Sequence, residues 1–337
     1  MSLKKIAAEL GVSLTTVSRA LNGYPEVAQS TRAAVAAAAR RLNHRPDVRA
    51  RSLALGRGAA VGLVFPVTPG DLGDPLFLAI ATRMGERLAR ADLDMHIIAA
   101  SSDGELQVYQ RALGHIAAFV VPRTRVRDQR LALLQARGVP FVAYGRSEHF
   151  AEPYAWLDFD NAMGARLATE RLIGFGHRDI AFIGAPAAYN FATLRLRGFM
   201  RAMLAGGLRV NPAMVQQVGL DLGAGYAAMV RLLDQPVPPT AVLVDNHLAG
   251  VGAVHAALRA GKVLGKDLSI IVYDGVGADA VVLQNAITAV VQSTTQSVAD
   301  TLVDFTLARL KGEPPETLQH LGLPELLPGD SDGPAPT

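Results

Sequence analysis

Apolar positions near the start of the chain recur at helical spacing, then give way from Ala59 onward to short apolar runs separated by amphipathic stretches. In "LKKIAAEL", Leu3, Ile6, Ala7 and Leu10 fall on one face and Gly11 ends the pattern. Ser13 stands where an N-cap is needed for a second helix over 14–21. In that helix Val17, Ala20 and Leu21 point inward, and Thr15, Thr16, Ser18 and Arg19 point largely outward. Asn22-Gly23 closes it, and a third helix begins near Thr31 and runs through "RAAVAAAARRL". Helix, short glycine-containing turn, helix and supporting helix make the helix-turn-helix layout.

The second pattern predicts strands over 61–66, 94–99, 119–121, 139–143 and 155–157, then a second series over 180–184, 215–218, 241–244 and 268–273. Strands alternating with amphipathic helices form parallel sheets covered on both faces. Two such series predict two similar lobes, with a ligand held between them at the carboxyl ends of the strands. At 337 residues the chain exceeds what one core usually serves. We divide it into a helix-turn-helix headpiece over 1–45, a hinge over 46–57, and a two-lobed α/β body over 58–328. The first lobe takes about 58–158 plus 290–318, and the second about 159–289 plus 319–328. The ending "GDSDGPAPT", 329–337, reads as a disordered tail.

Charge sharpens this division. Residues 1–58 hold ten Lys and Arg against three Asp and Glu, a surplus of seven in a chain whose total is +3, so the remainder carries −4. A basic unit on a mildly acidic body points to a polyanion-binding module. The chain has no Cys, which excludes disulfides, thiolate catalysis and Cys-based metal sites. Its longest apolar runs are far short of a bilayer span, and "MSLKKIAAEL" has no apolar core of a signal peptide, so a cytoplasmic protein is expected.

A helix that reads DNA needs short polar side chains for phosphates and a few side chains aimed at base edges, among them an Arg that grips guanine. Thr16, Ser18 and Asn22 suit phosphates, Leu14, Thr15 and Arg19 suit bases, and Thr31 opens the supporting helix beside them. No enzyme motif appears: there is no GxSxG, GxxxxGK[ST] or HExxH, and no GxGxxG follows a strand. We expect neither catalysis nor a cofactor nor a metal. His177, in "GFGHRDIAFIG", reads as a structural turn residue, and Trp156, mid-strand in "YAWLDFD", reads as core.

"VSLTTVSRALNG" followed by "TRAAVAAAARRLNHRPDVRARSLALGR" resembles the headpiece and hinge of the LacI/GalR family of bacterial transcription regulators, and the resemblance extends to about Pro328. It implies a periplasmic-binding-protein-like body of two doubly wound lobes crossed three times by the chain. It also implies a hinge that becomes helical on operator DNA, with Leu53 wedged into the minor groove, Ala50 beside it, and Arg49 and Arg51 near phosphates.

The resemblance further implies an effector site. The "DPLF" turn supplies Leu72, Asp74 and Phe77; "LRLRGF" supplies Arg195, "VDNHLAG" Asn246, "VYDGVG" Asp274, and the segment after "NAITAV" Gln292. Arg123, Thr124 and Arg146 join them because "VPRTRVRD" and "AYGRSEHF" end strands of the first lobe. The chain departs from the family at His247 and Gly275, where acids are usual. The "RTRV" and "YGR" pattern with "PYAWLDFDN" is similar to a subgroup associated with α-glucoside utilisation. Operator DNA, a small carbohydrate effector and a second copy of the chain are the implied partners. No leucine heptad follows Pro328, so a dimer is expected. A transport-linked sugar-binding protein and an enzyme on a doubly wound sheet are the rival readings.

Overall fold

The computed structural model describes residues 3–21, 26–42, 59–66, 74–101, 103–276 and 286–336. Three helices come first: α1 (Leu3–Leu10), α2 (Leu14–Leu21) and α3 (Gln29–Arg41). Gly11 adopts φ 63° between the first two, and the Ser13 hydroxyl accepts the Thr16 backbone N–H at 3.0 Å, as an N-cap does. Ile6, Ala7, Val17, Ala20, Val27, Val35, Ala38 and Ala39 bury a small core of their own. The inward face read for α2 is thus the packed one, although Leu21 is only half-buried.

The body holds two six-stranded sheets. In chain order the elements are β1 (Ala60–Pro66), α4 (Pro75–Ala89), β2 (Asp94–Ala100), α5 (Glu105–Ala112), β3 (Ile116–Val121), α6 (Gln129–Ala136), β4 (Phe141–Tyr144) and β5 (Ala155–Phe159). The second lobe follows with α7 (Asn161–Gly174), β6 (Ile180–Gly184), α8 (Asn190–Ala205), β7 (Val215–Gln217), α9 (Leu222–Leu233), β8 (Ala241–Val244), α10 (His247–Arg259), β9 (Ser269–Tyr273) and β10 (Thr288–Val291). The chain then returns through α11 (Thr295–Lys311), β11 (Gln319–Gly322) and β12 (Glu325–Leu327).

The first sheet runs β11-β5-β4-β3-β1-β2 with every pairing parallel, and the second runs β12-β10-β9-β8-β6-β7 with only β12 antiparallel. In each, the strand order reverses beside the first strand, the switch point where doubly wound folds hold ligands. The central strand β3, "IAAFVV", is buried at all six positions, as a strand covered by helices on both faces must be.

Three sequence expectations need correction. β10 pairs with β9, so residues 290–291 belong to the second lobe, and β11 pairs with β5, so residues 319–322 belong to the first. Only β12 joins the second sheet; Pro324, which has no N–H for a ladder, marks the crossing. Strand β3 begins three residues earlier than its apolar run suggests, because Ala117 and Ala118 are as buried as their larger neighbours.

The ending is likewise not loose through residue 336. The Ser331 hydroxyl donates to the Ile270 carbonyl at 2.6 Å and accepts the Thr288 N–H at 2.9 Å, and Asp332 pairs with Arg171 and Thr288. Its polar residues, which looked like disorder, bind the amino-terminal ends of the interior strands β9 and β10. His177, fully buried, lies 2.9 Å from the hydroxyls of Thr240 and Ser269 and 3.0 Å from the Gly333 carbonyl. It is the structural residue its turn position predicted, and burial holds its imidazole below its ordinary range.

Candidate effector site and nucleic-acid interface

A cleft of about 350 Å³ lies between the lobes, within the size range of small-molecule sites. Its lining comes from the carboxyl ends of strands in both sheets, and the helices that follow them are capped there by short acids and amides. Asp74 caps α4, its Oδ1 accepting the Leu76 and Phe77 N–H groups at 2.9 and 3.1 Å. Asn246 caps α10 by accepting from Ala249, while its Nδ2 donates to Asp245 at 2.8 Å. All nine described residues read from the sequence as effector contacts line this one cleft: Asp74, Phe77, Arg123, Thr124, Arg146, Arg195, Asn246, Asp274 and Gln292. Leu72 lies outside the described residues.

Their availability to a ligand differs. The Asn246 amide is largely occupied by its own cap and by Asp245, and the Thr124 hydroxyl donates to the Arg146 carbonyl at 2.7 Å. Arg146 donates from Nε to Asp158 at 2.8 Å and stacks over Trp156. Trp156 therefore supports the site from behind, consistent with a packing role. Arg195 is buried; its Nε donates to Asn161 Oδ1 at 2.8 Å, its Nη1 to the Asp245 carbonyl, and its guanidinium lies 3.7 Å above the Tyr273 ring. Among the described residues Nη2 makes no hydrogen bond, so a rigidly held donor is left facing the cleft.

Asp274 is the complementary group. It sits at φ 61° where β9 ends, and its carboxylate accepts no hydrogen bond from any described residue. Burial pushes its carboxyl above the ordinary range, although Arg195 and His247 act in the opposite sense. Across the cleft, burial likewise raises the phenol of Tyr144. Asp74 goes the other way: burial alone would raise it, but His247 and two backbone N–H groups together hold it below its usual range. Leu63, Phe65 and Phe77 of the first lobe give the cleft an apolar wall, with Phe65 and Phe77 stacked at 4.0 Å, and Phe191 lies 4.9 Å from the Arg195 guanidinium.

Sequence reasoning missed Tyr144, Asp158, Asn161 and Phe191 as lining residues. Tyr144 immediately precedes the "GR" that drew attention, and Asp158 and Asn161 flank the first crossing, so the position of the strand ends was the available signal. His247, noted only as a departure, lies inside the cleft.

On the headpiece, Ser13, Thr15, Thr16, Arg19 and Thr31 border one shallow recess with Glu26, Val27 and Ala28. Leu14, Thr15 and Arg19 are exposed, and Thr16 and Ser18 half-exposed. The Thr16 hydroxyl is within 2.8 Å of Ser13 Oγ, so it carries the cap as well as any outward contact. Asn22, Arg49, Ala50 and Leu53 lie outside the described residues.

A helix-turn-helix headpiece ahead of a two-lobed α/β body with a cleft at its strand ends defines a ligand-responsive DNA-binding protein. Residues 2–47 match the family described as bacterial regulatory proteins, lacI family, and residues 169–331 match the periplasmic binding protein-like domain. The HTH-type transcriptional regulator RafR of Escherichia coli is 37% identical over 98% of this chain and 98% of its own length. Among solved structures, a putative transcriptional regulator from Yersinia pestis biovar Microtus superposes with a TM-score of 0.74 at 35% identity, covering 82% of this chain and 99% of that one. The transcriptional regulator CelR in complex with cellobiose superposes with a TM-score of 0.71 at 28% identity, over 98% and 99%. The chain belongs to the LacI family of bacterial regulatory proteins. It is a DNA-binding transcription regulator and not an enzyme.

Proposed function

We propose that the protein is a homodimeric repressor of sugar-utilisation genes, released from or loaded onto operator DNA by a carbohydrate bound between its lobes. One observation carries the effector class: the Asp274 carboxylate, without a hydrogen-bond partner among the described residues, and a fixed Arg195 Nη2 share the cleft with the stacked rings of Phe65 and Phe77. Sugars present apolar ring faces and vicinal hydroxyls, and a carboxylate with a guanidinium supplies the matching acceptors and donors. The Arg residues of the cleft are balanced by Asp74, Asp158 and Asp274, which suits a neutral polyhydroxyl compound better than a polyanion. The cellobiose held by the related CelR supports the same class.

Two copies of the headpiece on a pseudo-palindromic site account for an operator reader of this size. Leu14, Thr15 and Arg19 read bases, Thr16, Ser18, Asn22 and Thr31 position the helix, and Arg49, Ala50 and Leu53 act from the hinge. A carbohydrate that favours one angle between the lobes shifts the population of the DNA-competent dimer. No described helix is long and apolar enough to cross a membrane, and a cytoplasmic address fits a DNA-binding partner.

A truncated protein lacking residues 1–57 tests the division of labour. It keeps the sugar-induced rise in melting temperature and loses operator binding by fluorescence anisotropy. Operator binding that survived the truncation would overturn the headpiece assignment.

A further inference from the structure

Behind the cleft, the first lobe contains a largely buried charge network whose own members, Glu105, Arg125, Asp128 and Arg130, do not line the cleft. Arg130 is 1% exposed, and its fork is filled from all sides. Nη1 donates to Glu105 at 2.6 Å, Nε and Nη2 donate to the two oxygens of Asp128 at 2.9 and 2.6 Å, and Nη2 also donates to the Arg123 carbonyl at 3.0 Å. Glu105, itself buried, takes Arg125 as a second cation. Three charges buried together, with Arg125 half-exposed at their edge, are no route to a more stable core, since apolar residues of similar volume would serve as well or better.

What the network fixes is the path of residues 123–126. Arg123 holds φ 48°, a left-handed conformation that a residue with a side chain rarely adopts, and its carbonyl is the one Arg130 grips. Two residues on, the Arg125 N–H donates to Asp128 at 2.9 Å, so both ends of the turn are tied to the same buried pair.

That turn has two outward attachments. Within the first lobe, Thr124 donates to the Arg146 carbonyl and packs so close to Gly145, at φ 107°, that any Cβ there would collide with its hydroxyl. Towards the second lobe, the Thr124 carbonyl accepts the Asn190 N–H at 2.9 Å and the Val126 N–H donates to the Ala188 carbonyl at 3.0 Å, with Arg125 and Tyr189 paired antiparallel between them. Asn190 is the first residue of α8, the helix that carries Arg195. Beside this strap, Arg197 of the same helix pairs with Glu148 of the first lobe at 2.6 Å.

We propose that Arg130, with Glu105 and Asp128, is a positioning element for the effector site: it holds residues 123–126 as a strap that joins the lobes. The network sets how fully the lobes close and, resting on the cleft being the effector site, how tightly the effector binds. It does so without contacting the ligand.

The full-length chain has no Cys, so spin labels can be placed on Cys introduced at Glu152 and Arg201, exposed in the first and second lobes. Pulsed electron-spin distance measurements on labelled protein diluted with unlabelled protein then report lobe separation without any ligand. In Arg130→Lys, Glu105→Gln and the gentler Arg125→Gln, the distance distribution shifts to longer values than in the parent. Arg171→Lys, which weakens the pairing with Asp332 elsewhere, lowers the melting temperature and leaves the distribution unchanged. Cellobiose, maltose, sucrose and trehalose serve as probes, and any that binds the parent binds the three strap variants at least tenfold more weakly. Distributions identical to the parent in all three strap variants would overturn the inference. If no probe binds the parent, the carbohydrate reading fails while the distance comparison still decides the role of the strap.

Discussion

His247, the first residue of α10 in the second lobe, places its Nε2 3.2 Å from the Asp74 carboxylate that caps α4 in the first. The two groups are in close contact across the cleft, although Nε2 makes no well-aligned hydrogen bond. The family resemblance implies an acid at the position of His247, which beside Asp74 of this chain would set two carboxylates together. His247→Asp restores the family's residue and sets like charges together in a half-buried cleft. We predict weaker effector binding by about tenfold, close to 1.4 kcal/mol, with His247→Asn intermediate. Titration calorimetry with the recognised sugar checks the order parent, Asn, Asp.

Arg195 separates effector response from DNA binding. Its side chain is held by Asn161 and the Asp245 carbonyl at the base of the cleft, far in sequence from the headpiece. Arg195→Lys keeps the charge and loses the fork, so it should respond poorly to effector while operator affinity stays within twofold of the parent. Arg195→Ala should abolish the response. Operator anisotropy with and without sugar reads both, and a variant released at the parental sugar concentration would place Arg195 outside the site.

Arg19 lies exposed on α2, beside Thr15. If it reads a base edge, Arg19→Ala costs about 1–3 kcal/mol on the operator and much less on unrelated DNA. Equal losses on both duplexes would make it a phosphate contact.

His177 ties the end of the chain to the second sheet, and its burial makes a definite pH prediction. The imidazole is held below 6.5 in the folded protein, so the unfolded chain binds the proton more readily. Its contribution to stability is present above pH 6.5 and is lost as the pH falls towards the folded value. Denaturant melts from pH 8 to pH 5 should show stability falling below about pH 6.5. His177→Gln, which cannot titrate, should be less stable at pH 8 and show a flatter profile. A parental slope in the variant would assign the effect to other groups.

The headpiece was legible because its signals are local: Ser13 caps, Gly11 turns, and the apolar face repeats within a few residues. Strands β1 to β9 were legible for a similar reason, since a strand covered on both faces, as β3 is, must be apolar along its length, whereas β10 and β11 were missed. The lobe boundaries were not legible. Whether β11 pairs with β5 or joins the second sheet depends on partners 160 residues away, and "QHLG" carries no apolar run to mark it. The tail misled because "GDSDGPAPT" has the composition of a solvated segment, while Ser331 and Asp332 find buried partners that only the folded sheet supplies. At the cleft, residue types next to strand ends were readable one at a time. That Asn246 is occupied by its own cap, whereas Asp274 is not, could emerge only from the geometry.

Thermal stabilisation of the full-length protein by mono- and disaccharides tests the central claim most directly, when run in parallel on the parent, Arg195→Ala and Asp274→Asn. A sugar at 100 times its Kd should add roughly 2.7 kcal/mol to the parent's stability. The account predicts that at least one sugar raises the parent's melting temperature and that neither variant responds at the same concentration. A panel in which no sugar stabilises the parent, or one that stabilises all three proteins equally, would contradict it.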